Sequence, residues 1–356
     1  MLKDKLLAIQ NKAKERTVKT QNIEYDLETI VKKISRGIIK LNPDYQRKHR
    51  WTDEYSSKLI ESLILNIPVP LIYISQDIDV DEEVEEEIAR YSVIDGQQRL
   101  TAIYNFLTNS SALVGLEVLD DLNGLKYNQL PPFLIRRLEE RTIRCLRIDS
   151  TLDSQVKYDI FERLNSGSVK LEPQELRNAT CRGPFKELIK ELVKNKSFIN
   201  ATSLSPSRIE KMEDEELVLR YFALSYNDGY KTYKSSFKNF LTTKMTEFNT
   251  LDSEELELMK SNFINSFKIL EDSNIELPFA KFKSEDNQLL KMSNFNVAVY
   301  DSLIVPLSKM KHTSTLNISS FRELSHNPEY FRAIEGSTND ASKVHLRIDN
   351  AIEVLK

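Results

Sequence analysis

Tyr91-Ser-Val-Ile-Asp95-Gly96-Gln-Gln-Arg99-Leu-Thr101-Ala-Ile-Tyr-Asn-Phe106 is the stretch whose reading decides the N-terminal fold. Arg90 to Ile94 is a short run rich in β-branched and aromatic residues, which predicts a buried strand. Asp95-Gly96 stops it, and Gln97 to Leu107 continues with helical spacing. A strand that turns on a glycine straight into a helix leaves backbone N–H groups and the positive helix end facing one spot, a ready anion site. Gly96 permits close approach of a phosphate, Arg99 has the fork for its oxygens, and Gln97 and Gln98 add neutral donors. Asp95 has the opposite character, suited to holding Mg²⁺ or orienting water. The plainer alternative is equally open at this point: Asp95 caps the helix, and Arg99 pairs with a carboxylate.

Outward from this junction the pattern stays mixed. Ile34 to Leu41 reads as a strand leading into the turn Asn42-Pro43-Asp44. Thr52 is a fitting N-cap, with Asp53 and Glu54 in the first turn, for a helix over 53–66. Ile67-Pro-Val-Pro-Leu-Ile-Tyr-Ile74 is apolar and β-rich, with prolines suited to a strand entry. Thr142 to Ile148 is a further strand. From about residue 153 the period becomes helical, with helices expected over 155–164, from Pro184, and over 214–224, 236–247, 253–271 and 295–307. The expected fold class is α+β, a small mixed sheet with helices, followed by an all-helical C-terminal region. The expected divisions are an N-terminal helix or arm over 1–22, an α+β domain over 23–150 and a helical domain over 151–356.

Composition narrows the function classes. The 356 residues are 40% hydrophobic and 29% charged, enough to build a core and too balanced for a disordered chain. Two cysteines, Cys145 and Cys181, cannot make a disulfide framework or a four-thiolate metal site. Met1 to Arg16 lacks the apolar stretch of a secretory signal, and no apolar run is long enough to span a bilayer. The expectation is a cytoplasmic protein with no membrane partner. Residues 77–87 carry eight acids and no base, and removing them turns a net charge of −4 into +4. That run reads as a solvated loop between two strands.

Two other segments carry candidate chemistry. Asn42-Pro-Asp-Tyr-Gln46-Arg47-Lys48-His49-Arg50-Trp51 sets bases beside Tyr45 and the only tryptophan, a mixture that suits phosphate and base contact. A surface turn stapled by Tyr45 and Trp51 is its bland counterpart. Phe161-Glu-Arg-Leu-Asn165-Ser166-Gly-Ser168, continuing to Glu175-Leu-Arg177-Asn178, offers Asn165, Ser166 and Ser168 as donors to a phosphate, with Arg163 and Arg177 adding charge. For most of these residues an ordinary helix–turn–helix corner is the favoured reading.

Taken in order, Tyr45-Gln46-Arg47…Trp51, Ile67-Pro-Val-Pro70, Asp95-Gly-Gln-Gln-Arg-Leu-Thr101 and Phe161-x-Arg-Leu-Asn-Ser-Gly…Glu175-Leu-Arg-Asn178 resemble a known family. It is the DGQQR-containing ParB/sulfiredoxin-fold domain at the N-terminus of GmrSD-type modification-dependent restriction systems. Arg208 to Arg220 is similar to that family's helical portion. Four separated motifs in one order make the resemblance specific. It implies a phosphate site at the DGQQR motif, associated with NTP hydrolysis that powers or licenses DNA restriction. Carried over by position, Asp95, Gln97, Gln98 and Arg99 would be catalytic, with Asp95 also the Mg²⁺ ligand. Gly96, Thr101, Gln46 and Arg47 would bind nucleotide and phosphate, with Asn165 and Ser166 closing the pocket. The basic loop itself, apart from the resemblance, puts Lys48 and Arg50 forward as DNA contacts.

The chain departs from the family pattern at two points. Glu172 stands before Pro173 where the family often has a Ser or Thr cap. His49, His312, His326 and His345 lack the spacing of an HNH nuclease. The expectation is therefore an NTP-hydrolysing subunit acting on DNA, modified or not, with a separate nuclease subunit as partner and an oligomer compatible with the sequence. The rival is a non-catalytic ParB-like DNA-binding module. A ParB-fold nuclease with metal on Asp95, Glu162 and Glu175 ranks last.

Overall fold

The computed structural model describes residues 19–41, 51–76, 90–149, 154–164, 172–181, 183–311 and 314–355. The chain divides into two compact units, residues 1–171 and 172–356.

The first unit is built on a five-stranded mixed sheet, and its elements run β1 (Thr20–Asp26), α1 (Leu27–Ser35), β2 (Ile39–Lys40), α2 (Asp53–Ile64), β3 (Ile72–Gln76), β4 (Tyr91–Asp95), α3 (Gln97–Leu107), α4 (Pro132–Glu139), β5 (Thr142–Ile148) and α5 (Ser154–Leu164). The strand order is β1-β5-β3-β4-β2. β1 and β5 pair antiparallel, as do β3 and β4, whereas β5–β3 and β2–β4 are parallel. Ile67-Pro-Val-Pro70 stays outside the sheet, and the strand begins only at Ile72. Pro68 and Pro70 lack the N–H that a ladder needs, so pairing starts once they are passed.

Apolar side chains from the strands meet those of the helices in one core. Ile72, Ile74 and Val93 of the sheet are buried with Leu27 and Ile30 of α1, Ile60 and Ile64 of α2, and Leu100, Ile103 and Phe106 of α3. The α3 set recurs every third residue, which puts all three on one face. The expected helix over 97–107 is therefore present with its apolar stripe turned inward. Thr52 caps α2 as expected, its Oγ1 accepting from the Tyr55 N–H.

Two N-terminal elements differ from the sequence reading. β1 was not foreseen, and it brings Thr20–Asp26 alongside β5. Ile34 falls in α1, which leaves only Ile39–Lys40 of the expected strand. Asp26 explains the shift, because it caps α1 by accepting from the Thr29 N–H at 2.6 Å and commits the following nine residues to helix.

The second unit is helical: α6 (Pro173–Thr180), α7 (Pro184–Leu192), α8 (Lys196–Thr202), α9 (Pro206–Ile209), α10 (Glu213–Ser225), α11 (Phe237–Phe248), α12 (Ser253–Asp272), α13 (Val297–Lys309), α14 (Ile318–Glu323), α15 (Pro328–Ala333) and α16 (Ala341–Val354). The expectation of an all-helical region needs one correction. β6 (Lys281–Glu285) and β7 (Gln288–Ser293) form an antiparallel hairpin between α12 and α13. Its turn residues, Asp286 and Asn287, both take positive φ, the conformation of a two-residue hairpin loop. No described helix is long and apolar enough to cross a membrane.

Candidate functional site

Gly96 ends β4 and serves as the N-cap of α3, with φ +94° and ψ 13°. That left-handed conformation costs little only for glycine. Space demands the same residue: a Cβ here would lie 2.3 Å from Ile72 Cδ1 and 3.2 Å from Arg99 Nη2. A glycine cannot cap with a side chain, and none caps α3; its first turn also holds no acid. By contrast, α1 and α2 are capped by Asp26 and Thr52. The start of α3 thus keeps the backbone donors and positive end expected of an anion site.

Arg99 folds back over this turn. Its Nη2 donates to Asp95 Oδ2 at 2.8 Å, and its Nη1 donates to the Pro70 and Leu71 carbonyls, the latter at 3.2 Å. The side chain is only 12% exposed. Burial pulls the guanidinium pKa downward, and the Asp95 carboxylate opposes that pull. Of the plainer reading, one half is realised and the other is not: Arg99 does pair with a carboxylate, that of Asp95, but Asp95 does not cap the helix. One guanidinium therefore ties the end of β4 to the entry of β3 (Tyr73 stands opposite Asp95 in the ladder).

Asp95 keeps its second oxygen in hand. Its side chain is 38% exposed, and Oδ1 accepts from no described residue. Gln98 Oε1 is buried without a hydrogen-bond partner among the described residues. Thr101, one turn beyond Gln97 on the same helix face, is half-buried. The structure thus brings Asp95, Gly96, Gln97, Gln98, Arg99 and Thr101 together at one strand–helix junction. Gln46, Arg47, Lys48, Arg50, Asn165 and Ser166 lie outside the described residues, as does the acidic run over 77–87.

The wider setting of the turn rests on α2, which pins the long connection after α3. Glu61 is buried, and its Oε1 accepts the Val118 and Leu119 N–H groups at 3.1 and 2.8 Å. Ser57 Oγ accepts the Val114 N–H at 2.9 Å.

Glu175, Arg177 and Asn178 belong to the second unit, where they are buried in a polar network. Arg177 Nη1 donates to Gln174 Oε1 at 2.8 Å and to Glu216 Oε2 at 2.9 Å. Arg220 bonds both Glu216 and Asp301, and Arg347 Nη2 meets Asp301 Oδ2 at 2.6 Å. Arg177–Glu216–Arg220–Asp301–Arg347 is thus a continuous ion chain linking α6, α10, α13 and α16. Burial alone would raise the Glu216 carboxyl, but Arg220 and Arg177 hold it down to about 2. The Glu175 carboxylate accepts the Glu172 N–H at 2.6 Å, which supplies the reciprocal half of a capping box at the corner where Ser or Thr was missing.

The metal set Asp95, Glu162 and Glu175 gains no support: no group of three or more His, Cys, Asp or Glu among the described residues is placed to hold a metal ion. His326 Nδ1 sits 2.8 Å from Ser284 Oγ, and His345 packs edge-on to Tyr230. Both are engaged within the helical unit.

Residues 27–181 match the family described as GmrSD restriction endonuclease, N-terminal domain. Over that segment the chain is similar to the N-terminal domain of a restriction endonuclease, a family of restriction systems that act on DNA. No curated protein and no solved structure matches the chain.

Proposed function

We infer that the chain binds a nucleoside triphosphate at the Asp95–Gly96 turn and hydrolyses it with Mg²⁺ as part of DNA restriction. The observation that carries this reading is the left-handed Gly96 at the uncapped start of α3, beside an Asp95 oxygen that no described residue uses. Phosphate oxygens accept from the first-turn N–H groups. Asp95 Oδ1 holds Mg²⁺ or the attacking water; one carboxylate suffices where phosphates supply the other metal ligands. Arg99 acts as a positioning residue that fixes the Asp95 rotamer. Gln97, Gln98 and Thr101 border the same turn, and Gln98 Oε1 is a buried acceptor awaiting a donor.

The motif resemblance extends the reading to a ParB/sulfiredoxin-like domain, with Gln46 and Arg47 across the pocket and Asn165 and Ser166 closing it; the basic composition of the Gln46–Trp51 loop adds Lys48 and Arg50 as DNA contacts. The four histidines of these 356 residues show no HNH-like spacing, and the family resemblance points to a nuclease partner for strand cleavage. Phosphate release with each NTP, in Mg²⁺ and in EDTA, with and without DNA, tests the proposal. Mg²⁺-dependent release that responds to DNA is expected; its absence with every NTP contradicts the reading.

One feature favours the non-catalytic DNA-binding alternative. Arg136, Arg137, Arg141, Arg144 and Arg147 lie within twelve residues, and Arg136, Arg137 and Arg144 are exposed. Exposed arginines are backbone-positioning groups for DNA, and binding through them weakens steeply with salt. DNA retention that falls with salt and with Arg136→Gln, in a protein releasing no phosphate, would favour that module.

A further inference from the structure

The first unit holds a second concavity, a cleft of about 370 Å³ between the β3 entry and the β1–β5 pair. Leu63 and Ile143, both buried, line its base, and Ile67-Pro-Val-Pro70 forms an apolar wall. Arg141 is fixed in place, its Nε donating to the Leu63 carbonyl at 2.9 Å and its Nη1 to Asn66 Oδ1. Glu24 and Arg144 stand directly opposite each other in the β1–β5 ladder and both line the cleft. Opposite charges in that relation commonly pair. Among the described residues, neither side chain has a hydrogen-bond or ion-pair partner. A donor fork and a carboxylate acceptor are thus left side by side over an apolar wall.

Pro70 connects this cleft to the turn. Its ring lines the cleft, while its carbonyl accepts from the Arg99 guanidinium that also holds Asp95. The cleft and the turn therefore share one wall.

We propose that this cleft binds a guanine base. A planar heterocycle fits an apolar wall of prolines and aliphatic side chains. Guanine presents the paired O6 and N7 acceptors that an arginine fork reads, together with an amino donor for a carboxylate. Arg144 takes the acceptors and Glu24 takes the donor. Adenine offers the fork one acceptor and one amino group, so it satisfies Arg144 less well. Where the base belongs to the triphosphate at the turn, the inference rests on the nucleotide reading above and names its specificity. Where it belongs to DNA, the same two side chains read it.

Equilibrium titration of the full chain in Mg²⁺ tests this, using GTP, ATP, inorganic triphosphate, and single-stranded oligonucleotides containing only guanine or only adenine as purine. Arg144→Gln and Glu24→Gln both alter exposed strand residues and leave the core intact. The expected result is a preference of about tenfold for guanine, the size of one good base contact, which both variants abolish while inorganic triphosphate binds unchanged. Loss of the preference among free nucleotides assigns the base to the triphosphate; loss among oligonucleotides alone assigns it to DNA, and either supports the cleft. Equal binding of guanine and adenine ligands by the wild type overturns the inference and leaves the turn's phosphate reading standing. Guanine-selective oligonucleotide binding without any triphosphate binding overturns the nucleotide reading and upholds the cleft.

Discussion

Arg99 Nη2 lies 2.8 Å from Asp95 Oδ2, one helical turn along the chain, and the same guanidinium holds the carbonyls ahead of β3. The pair sets which carboxylate oxygen faces outward. Replacing Arg99 by Lys keeps the charge and forfeits the planar fork that spans three acceptors. Arg99→Lys is expected to lower phosphate release about tenfold or more while the protein stays folded, and Arg99→Ala is expected to lower it further. Steady-state rates beside far-UV circular dichroism separate that loss from unfolding.

Gly96→Ala meets two penalties. The left-handed backbone costs an L-residue roughly 1–2 kcal/mol, and the added methyl is driven towards the fully buried Ile72 at a further cost of about 1–3 kcal/mol. A lower denaturation midpoint for the first unit is expected, together with loss of triphosphate binding. An unchanged midpoint would show that the turn relaxes freely.

Glu61→Ala leaves the Val118 and Leu119 N–H groups without their acceptor, at a cost of about 1–3 kcal/mol. Glu61→Gln retains an acceptor oxygen and should cost less. Hydrogen exchange at Val118 and Leu119 reports the difference directly, with faster exchange expected in the alanine variant.

Acid should unlock the ion chain of the second unit. Glu216 is held at about 2 in the folded state, below the ordinary 4.5. Its contribution to stability is therefore complete above pH 4.5 and is lost as pH falls from there towards 2. Asp214 and Glu215 act in the opposite sense, because burial raises both carboxyls and their protonation favours the fold. Glu216→Gln strips two buried arginines of their shared partner, which costs about 3–5 kcal/mol at neutral pH. Thermal unfolding across pH 2–7 should show the variant destabilised at neutral pH and converging with the wild type in acid.

The elements legible in sequence were those with strong local signals. Gln97–Leu107 and Thr142–Ile148 lie where periodicity put them, and Thr52 caps α2. β1 and the β6–β7 hairpin escaped because their registers are set by partner strands, although Asp286-Asn287 was a readable turn signal. At the site, Gly96 and its helix start followed directly from strand–glycine–helix order. The destination of Arg99 did not, because Pro70 and Leu71 are 29 and 28 residues away in sequence. Arg177 likewise reads as a free cation in sequence, whereas its partner Glu216 lies 39 residues on.

Phosphate release by Asp95→Asn at saturating NTP and Mg²⁺ tests the central claim most directly. The amide oxygen still accepts from Arg99, so the turn keeps its geometry while the charge is removed. The account predicts a folded protein whose turnover falls by about 10²-fold or more, the scale on which losing one positioned electrostatic group acts. Wild-type turnover in this variant would contradict the assignment of the Asp95–Gly96 turn as the phosphate site.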